Sequence, residues 1–455
     1  MKFTLSGEPV TLKKRVLRAG AWSLAGHGLG MIIRLGGNLV MTRLLVPDMF
    51  GVMAIATMVI LTLGMLSDVG LHQNIIQSPR GDDPTFLDTA WVVQIIRGLL
   101  LWLIAFLLSV ALYLANFAGI IPAGTVYAVP ELPFVIIVVS FSAVISGFRS
   151  TKWATAQRRF DQKRMVQITL IGQGIGLVVM IIFGTFSRTI WALAAGGLIA
   201  SLTTTALTHA WMNGHSNRFR WDKKAFMEIR NFGKWIFLSS AVTVLASNGD
   251  RLLLGGFVDP HVLGLYVIAA FIIGSIQDGL GNLFTSVSFP ALSEVARNNP
   301  SRLQEIYYRL RIPSDLLLLF ISGSLFAAGQ FVIDLLYDQR YSEAGNILQI
   351  LALSLFGVRY GLSHQIYLAL NEPRYLAIVN VVRLASLYLL VPLLYHFYGF
   401  QAAVWGIALH ILPTIPLIFV FNTKLGISDI RRELYVLPAM LAGYLSGLAL
   451  NMLAI

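Results

Sequence analysis

The sequence predicts an all-α integral membrane protein with about 13 transmembrane helices, and its composition, its long apolar runs and the positions of its cations support this prediction. Of the 455 residues, 56% are hydrophobic and 12% are charged, whereas a soluble domain has roughly 45–50% and about 25%. The mean hydropathy of +0.73 is too high for a soluble chain of this size, because the surface of such a chain needs charge. We therefore expect lipid to surround most of the protein.

The apolar runs define the individual spans. A bilayer core of about 30 Å requires roughly 20 apolar residues per helix, and these runs lack the alternation with period two that marks the strands of a membrane barrel. Helices are therefore the predicted spanning elements. The candidate spans are 17–45, 50–78, 88–115, 132–157, 165–187, 190–213, 232–257, 262–293, 312–337, 343–370, 375–397, 400–422 and 435–455.

The lysines and arginines predict the orientation of these spans. Most of the 34 cations precede the first span or follow an even-numbered one, whereas the loops after odd-numbered spans contain only Arg188 and Arg340. Because cytoplasmic loops carry the excess of positive charge, the N-terminus is predicted to be cytoplasmic. The first apolar segment is long and lacks a small-residue cleavage site, so we expect it to remain as a helix.

The composition also argues against several classes of chemistry. The chain has no cysteine, which excludes disulfides, thiolate catalysis and cysteine-ligated metals. Its eight histidines show no metal-binding spacing, so neither a metal nor a cofactor is expected. The net charge of +12 is dispersed among apolar runs and forms no basic domain, which argues against nucleic acid as a partner. No segment outside the membrane is long enough for a soluble catalytic domain, so we do not expect an enzyme.

The sequence contains an internal repeat. At an offset of 213 residues, Pro47 aligns with Pro260 and Gly51 with Gly264, each at the start of an apolar helix. A repeat with an even number of spans places both copies in the same orientation, as in transporters that hold their substrate between two parallel lobes. The predicted organisation is an N-terminal six-helix lobe (1–213), a cytoplasmic linker (214–231), a C-terminal six-helix lobe (232–423) and an additional C-terminal transmembrane segment (424–455).

Charged side chains within the spans are the candidate functional groups. A charge at the centre of a bilayer costs roughly 2.5–3.5 kcal/mol on insertion scales, so such residues are expected to face protein or water. Most cations within the predicted spans are arginines, and a guanidinium group matches the geometry of phosphate oxygens and stays charged. Arg43, at a helix end, is expected to reach the headgroups instead. The predicted substrate-binding residues are Arg34, Arg251, Arg97, Arg359, Arg383, Asn38 and His27.

Carboxylates within the spans are fewer. Asp68, Asp250 and Asp278 are candidates either for binding a coupling ion or for a structural role. Asp250 also has the alternative of pairing with Arg251 or with another arginine of the lobes. The excess of arginine over carboxylate favours an anionic cargo.

Three motifs resemble those of a known family. The segment TRLLVPDMFGVMAIATMVILTLGMLSDVGLHQNIIQ (42–77) is similar to the signature of the polysaccharide transporter family. These are the Wzx-type lipid-linked oligosaccharide flippases of the multidrug/oligosaccharidyl-lipid/polysaccharide (MOP) superfamily. GDRLLLGGFVDPHVLGLYVIA (249–269) resembles the matching motif of the second lobe, and LLYDQRYSEAGNILQILALS (335–354) a third.

The resemblance implies a flippase of the bacterial inner membrane. Such a protein moves undecaprenyl-pyrophosphate-linked oligosaccharide repeat units to the periplasmic leaflet by alternating access, for the synthesis of O-antigen, capsule or exopolysaccharide. The implied partners are this lipid-linked oligosaccharide, membrane lipids, and the polymerase and chain-length proteins of the same pathway. Relatives usually have twelve or fourteen spans, so the side of the C-terminus stays open.

Two other functions are alternatives. A drug/cation antiporter of the MATE type has the same architecture but predicts a cavity dominated by carboxylates. A membrane polymerase or ligase acting on lipid-linked sugars needs catalytic groups beside a large periplasmic loop. The longest such loop, 116–131, contains one acid, Glu131, and no Lys, Arg or His, which argues against the enzyme.

Overall fold

The computed structural model describes residues 12–67, 70–159, 161–284 and 288–454; it describes their side chains except at 12–17, 19, 231–244, 247, 282–283, 290 and 453–454. Within these ranges the regular structure is helical and contains no strand. The helices are α1 (Leu12–Leu44), α2 (Pro47–Leu66), α3 (Leu71–Gln77), α4 (Pro84–Phe117), α5 (Leu132–Gly147), α6 (Lys152–Arg158), α7 (Gln162–Phe186), α8 (Trp191–Ala210), α9 (Lys223–Gly255), α10 (Pro260–Leu283), α11 (Phe289–Asn298), α12 (Leu303–Leu336), α13 (Ala344–Ala352), α14 (Leu355–Val358), α15 (Gly361–Ala369), α16 (Pro373–Leu409), α17 (Thr414–Lys424), α18 (Ile430–Tyr435) and α19 (Pro438–Ala454).

In the part of the chain that the structure describes, nine helical segments are long and apolar enough to cross a membrane. The number rises to ten if α5 and α6, which are bent by 64° relative to each other, form one span. Both α1 and α9 are long as well, but they are less apolar than the other long helices. The structure therefore shows an all-helical membrane protein, and thirteen spans stay a prediction.

Several predicted spans are not single helices. The span 132–157 breaks between α5 and α6, where the side-chain amide of Gln94 donates to the carbonyl oxygens of Ser146, Gly147 and Arg149. These bonds satisfy carbonyls that would otherwise be orphaned at the end of α5. The span 343–370 consists of the three short helices α13, α14 and α15.

The predicted spans 375–397 and 400–422 also differ from the observed helices. Helix α16 runs through their boundary with a kink at Gly399, whose φ of 80° lies in the left-handed region that favours glycine.

Helices that are equivalent in the repeat pack directly against each other. The N-terminal ends of α2 and α10 cross where both Gly51 and Gly264 lack a side chain. A Cβ atom at Gly51 would lie 2.1 Å from the carbonyl oxygen of Pro260, and one at Gly264 would lie 1.9 Å from that of Pro47. Beside this crossing, Asp48 and His261, also equivalent at the offset of 213 residues, form a pair with an N–O distance of 3.1 Å.

The segment that joins the first half (α1 to α8) and the second half (α9 to α17) is partly helical. Helix α9 begins at Lys223, inside the predicted linker, and Asp222 caps it by accepting from the backbone N–H of Lys224. The non-helical part before it is held by Asp88, which pairs with His215 at 2.7 Å and accepts from the backbone N–H of Arg218. The linker is therefore fixed against α4.

The C-terminal helix α19 packs along α12 in the second half. The hydroxyl groups of Ser324 and Ser446 lie 3.0 Å apart, and the amide of Asn451 donates to the carbonyl oxygen of Ala327. Small and polar residues of this kind are common between membrane helices, because they allow close approach and satisfy polar groups. The additional segment predicted at 424–455 is thus joined to α12.

Candidate functional site

Arg34 lines a cavity of 320 Å³ between α1, α7 and α8. Its side chain is exposed, and it forms no ion pair with any acid in the described ranges. Phe50 of α2 and Phe271 of α10 also line this cavity, so the second half of the chain contributes to its wall. Gln173 on α7 is a further lining residue, and its side-chain oxygen is buried without a hydrogen-bond partner among the described residues.

Asn38 lies one helical turn from Arg34 and lines the same cavity. Its side-chain oxygen accepts a hydrogen bond of 2.9 Å from the hydroxyl of Tyr337, at the end of α12. Asn38 thereby connects α1 to the second half. Of the three residues predicted on α1, Arg34 and Asn38 line the same cavity, whereas half-buried His27 is not part of its lining.

Arg251 lies on α9 at the contact between the two halves. One of its terminal nitrogens is 3.7 Å from the sulfur of Met58 on α2, and its Nε is buried without a partner in the described structure. A thioether is a weak acceptor. Arg251 therefore keeps most of its capacity to donate hydrogen bonds, like Arg34.

Asp250, next to Arg251, accepts a hydrogen bond from the hydroxyl of Tyr266 on α10. Arg383 on α16 instead donates from its Nε to the Nε2 of His410, at 3.2 Å. His410 in turn contacts the carbonyl oxygen of Ile407 through Nδ1, at 2.6 Å. These contacts hold the Arg383 side chain against α16 and the residue that follows it.

Arg97 lies in a second cavity, of 640 Å³, which is formed within the first half by α2 to α6. Its guanidinium donates to the carbonyl oxygen of Gly64 at 2.6 Å and to the hydroxyl of Ser67 at 3.1 Å. These bonds satisfy the C-terminal end of α2. The structure thus separates Arg97 from the cavity that Arg34 lines.

Arg359 is buried in the second half, where its charge is neutralised. Arg359 is 2% exposed, and its guanidinium donates to the carboxylate of Glu433 on α18 at 3.0 Å. Arg311 on α12 also binds Glu433, with one N–O distance of 2.8 Å, and pairs with Asp315 at 3.0 Å. We call Arg311, Asp315, Arg359 and Glu433 the buried charge cluster.

The hydropathy pattern does not indicate the buried charge cluster. Arg311 precedes the predicted span, which begins at residue 312, whereas α12 begins at Leu303. Glu433 likewise falls before the predicted last span but is 4% exposed. The spacing of Arg311 and Asp315 by four residues on one helix was the available signal, since such residues share a helical face.

Two of the predicted carboxylates remain, Asp68 and Asp278. Asp68 lies outside the described residues, and Asp278 on α10 is exposed. No group of three or more His, Asp or Glu side chains in the described ranges has the arrangement of a metal site.

Contacts between the two halves concentrate near the α1–α2 turn. The hydroxyl of Tyr341 donates to the carbonyl oxygen of Leu45 at 2.9 Å, and Arg340 donates to that of Thr42 at 2.9 Å. The backbone N–H of Val126 donates to the carbonyl oxygen of Val258 at 3.1 Å. We call this region the closed side.

The arrangement of the helices has the fold of the MOP superfamily, as the likeness to two solved structures shows. The solved structure of the lipid II flippase MurJ in an inward closed conformation aligns with a TM-score of 0.70 at 12% identity, over 96% of this chain and 93% of that chain. An inward-facing multidrug resistance MATE transporter aligns with a TM-score of 0.67 at 14% identity, over 89% and 94% of the two chains.

The chain belongs to the polysaccharide biosynthesis protein family, whose model matches residues 40–346. It is 19% identical over 346 residues to the succinoglycan biosynthesis transport protein ExoT of Rhizobium meliloti, which covers 76% of this chain and 67% of that protein. It is 20% identical over 352 residues to the lipopolysaccharide biosynthesis protein WzxC of Escherichia coli, over 76% and 68% of the two proteins.

Proposed function

We propose that this protein is a flippase that moves undecaprenyl-pyrophosphate-linked oligosaccharides across the bacterial inner membrane for the synthesis of surface polysaccharide. The observation that carries the proposal is the exposed guanidinium of Arg34 in a cavity walled by both halves, without a described acid to neutralise it. Membership in the polysaccharide biosynthesis protein family supports a sugar-bearing cargo.

The charge of the cargo explains why arginine stands at this position. The lipid tail of such a cargo stays in the bilayer, so the pyrophosphate is the group that loses most hydration during transfer. A guanidinium replaces that hydration with charge-assisted hydrogen bonds to phosphate oxygens. We assign this contact to Arg34 first and to Arg251 second, because both keep donors that the described structure does not use.

The closed side supports alternating access. In the orientation that the cations predict, the α1–α2 turn faces the periplasm, so the contacts of Arg340 and Tyr341 close the periplasmic end. The fold agrees better with the inward-facing MATE transporter, at a TM-score of 0.67, than with the outward-facing one, at 0.55. We therefore infer an inward-facing state that receives cargo from the cytoplasmic leaflet.

The membrane potential favours export of an anionic headgroup in this orientation. An inside-negative potential contributes about 2.3 kcal/mol per charge per 100 mV. The proposed partners are membrane lipids and the polymerase and chain-length proteins that use the delivered repeat unit.

A drug/cation antiporter has less support. Such a protein needs accessible carboxylates in its cavity, but the lining of the Arg34 cavity contains no Asp or Glu among the described residues. Asp250, the nearest candidate on α9, already accepts a hydrogen bond from Tyr266.

The test is transport by purified protein in liposomes. Fluorescent undecaprenyl-pyrophosphate oligosaccharide is incorporated, and its transfer between leaflets is measured by quenching from outside. We expect Arg34→Ala to lower the rate by about 10- to 100-fold, the loss of one charge-assisted contact, and Arg34→Lys to lower it less. Arg188→Ala, at an exposed loop arginine, is the matched control. Equal rates for Arg34→Ala and Arg188→Ala would refute the assignment of Arg34.

A further inference from the structure

The 640 Å³ cavity within the first half is lined by a second arginine besides Arg97. Arg149 lies in the break between α5 and α6 and lines this cavity. Its guanidinium carbon is 5.3 Å from the ring centre of Trp153, and its Nε is buried without a hydrogen-bond partner among the described residues. No acid of the described ranges forms an ion pair with it. Arg149 is therefore a partly buried cation whose counter-charge is not supplied by those residues.

Neighbouring cations differ from Arg149 in this respect. Arg158 donates to the carbonyl oxygens of Ile75, Ile76 and Ser78. Lys152 donates to the carbonyl oxygen of His209 at 2.9 Å, and Arg80 pairs with Asp83 at 2.8 Å. The surrounding cations thus have structural partners.

The break itself does not depend on Arg149 either. Gln94 binds three carbonyl oxygens there, and the indole N–H of Trp91 donates to the carbonyl oxygen of Phe148. The Arg149 side chain is left to face the cavity. Burying a guanidinium group in that position costs free energy unless a bound ligand supplies negative charge and hydrogen-bond acceptors.

The lining of the cavity defines what such a ligand contains. Near the break, the lining includes the hydroxyl-bearing residues Ser142 and Ser146. Most of the remaining wall is apolar and is contributed by Ile60, Leu61, Met65, Leu71, Ile75, Val93 and Leu101. Thr57 and Leu61 are exposed on this wall, so the cavity is accessible from outside the protein. An anion with an attached hydrocarbon chain fits both parts of the lining.

We propose that this cavity binds a phosphate-bearing membrane lipid, with the phosphate at Arg149 and an acyl chain along α2 and α4. The volume lies within the range of about 300–1,000 Å³ that small-molecule sites occupy. The apolar wall favours a phospholipid over free phosphate, because inorganic phosphate leaves that wall uncovered. This site is separate from the cavity of Arg34, so it stands whether or not the proposed function does.

The experiment measures lipid binding to the purified full chain in detergent by native mass spectrometry. The probes are dioleoylphosphatidylglycerol, dioleoylglycerol, which lacks the phosphate, and inorganic phosphate. We expect phosphatidylglycerol to bind, dioleoylglycerol to bind at least about tenfold more weakly, and Arg149→Gln to weaken phosphatidylglycerol binding about tenfold. Arg188→Gln removes the same charge at an exposed loop and should bind as the original chain does.

A second pair of variants covers the case in which Arg149→Gln fails to fold. Thr57→Glu places a carboxylate on the exposed wall, and Thr57→Gln adds the same volume without charge. We expect only Thr57→Glu to weaken binding. Equal phosphatidylglycerol binding by Thr57→Glu and Thr57→Gln, equal binding of the two lipids, or tighter binding of inorganic phosphate than of the lipid would each overturn the proposal.

Discussion

Two regions of the molecule, the Arg34 cavity and the buried charge cluster, use arginine in opposite ways. In the first half, Arg34 is exposed to a cavity without a described acid partner. In the second half, Arg311 and Arg359 are 1% and 2% exposed, and each binds the same carboxylate, that of Glu433. The two arginines and two acids of the buried charge cluster have no formal net charge.

This difference shows that an arginine within a membrane-spanning helix is not by itself a substrate-binding residue. A guanidinium that is neutralised by the protein adds no field to a cavity, but it can fix one element to another. Glu433 lies on α18, whereas Arg311 and Arg359 lie on α12 and directly after α14. The buried charge cluster therefore attaches the C-terminal segment to the second half.

The largest expected effect on stability comes from breaking this attachment. Glu433→Ala removes a carboxylate that serves two buried guanidinium groups, and loss of one partner from a buried pair costs about 3–5 kcal/mol. We expect a clearly lower melting temperature in detergent. Glu131→Ala, at an exposed acid, is the matched control and should melt as the original chain does.

A double variant separates lost charge balance from lost packing. Arg359→Gln removes one of the two cations that Glu433 neutralises. The double variant Arg359→Gln, Glu433→Gln should therefore lose less stability than the sum of the losses of the two single variants. Additive losses in melting temperature would contradict the coupling of these residues. Arg34→Ala, in contrast, should melt within the error of the original chain.

The sequence predicted the fold more completely than the site. Apolar length and cation placement are local properties, so they predicted a helical membrane protein. The repeat of Pro47 and Gly51 at Pro260 and Gly264 marked two equivalent helices, and their direct contact is seen only in the structure. The partners of an arginine depend on contacts far apart along the chain. Arg359 and Glu433 are 74 residues apart, and nothing in the local pattern of either residue indicates the other.

The breaks within spans were missed for a similar physical reason. The segment 132–157 is apolar throughout much of its length, but its helix ends at Gly147. The side-chain amide of Gln94, on another helix, caps this end by donating to the carbonyl oxygens there. A hydropathy pattern contains no information about such a distant donor. The cavity that Arg149 lines is a consequence of this break.

The closed side offers an intermediate effect that tests how the halves meet. Gly264→Val places side-chain atoms where a Cβ alone would lie 1.9 Å from the carbonyl oxygen of Pro47. Overpacking costs about 1–3 kcal/mol, which shifts a two-state population by about 5–150-fold. Because the chain has no cysteine, a single Leu45→Cys reports on opening. Leu45 is fully buried on the closed side, so we expect faster maleimide labelling in the Gly264→Val background.

Gly274→Val is the matched control on the same helix, since a Cβ there would meet nothing within 4 Å. It should leave labelling of Leu45→Cys unchanged. If Gly264→Val and Gly274→Val label at the same rate, the crossing of α2 and α10 does not hold the closed side together.

The smallest expected effect concerns the ion pair of Asp338 and Arg340 outside the membrane helices. The two groups lie 2.6 Å apart, and Arg340 also donates to the carbonyl oxygen of Thr42 in the first half. Hydrogen bonds from Arg340 hold the pKa of Asp338 below its ordinary value. The pair therefore stabilises the fold above the unfolded pKa of about 3.9, and this contribution is lost as the pH falls through the lower folded pKa.

Since Arg340 is 40% exposed, Asp338→Asn should cost less than about 1 kcal/mol. We expect a slightly lower melting temperature than that of the original chain at pH 7, and no difference once the pH is below the folded pKa of Asp338. Glu343→Gln, at a nearby exposed acid, should show neither change. A loss for Asp338→Asn that stays constant from pH 7 into the acid range would show that Asp338 acts through its shape and through the hydrogen bond that it accepts from the backbone N–H of Arg340, rather than through its charge. In that case, the buried charge cluster alone would show that neutralised arginines fix the structure, in contrast to Arg34, which has no acid partner among the described residues.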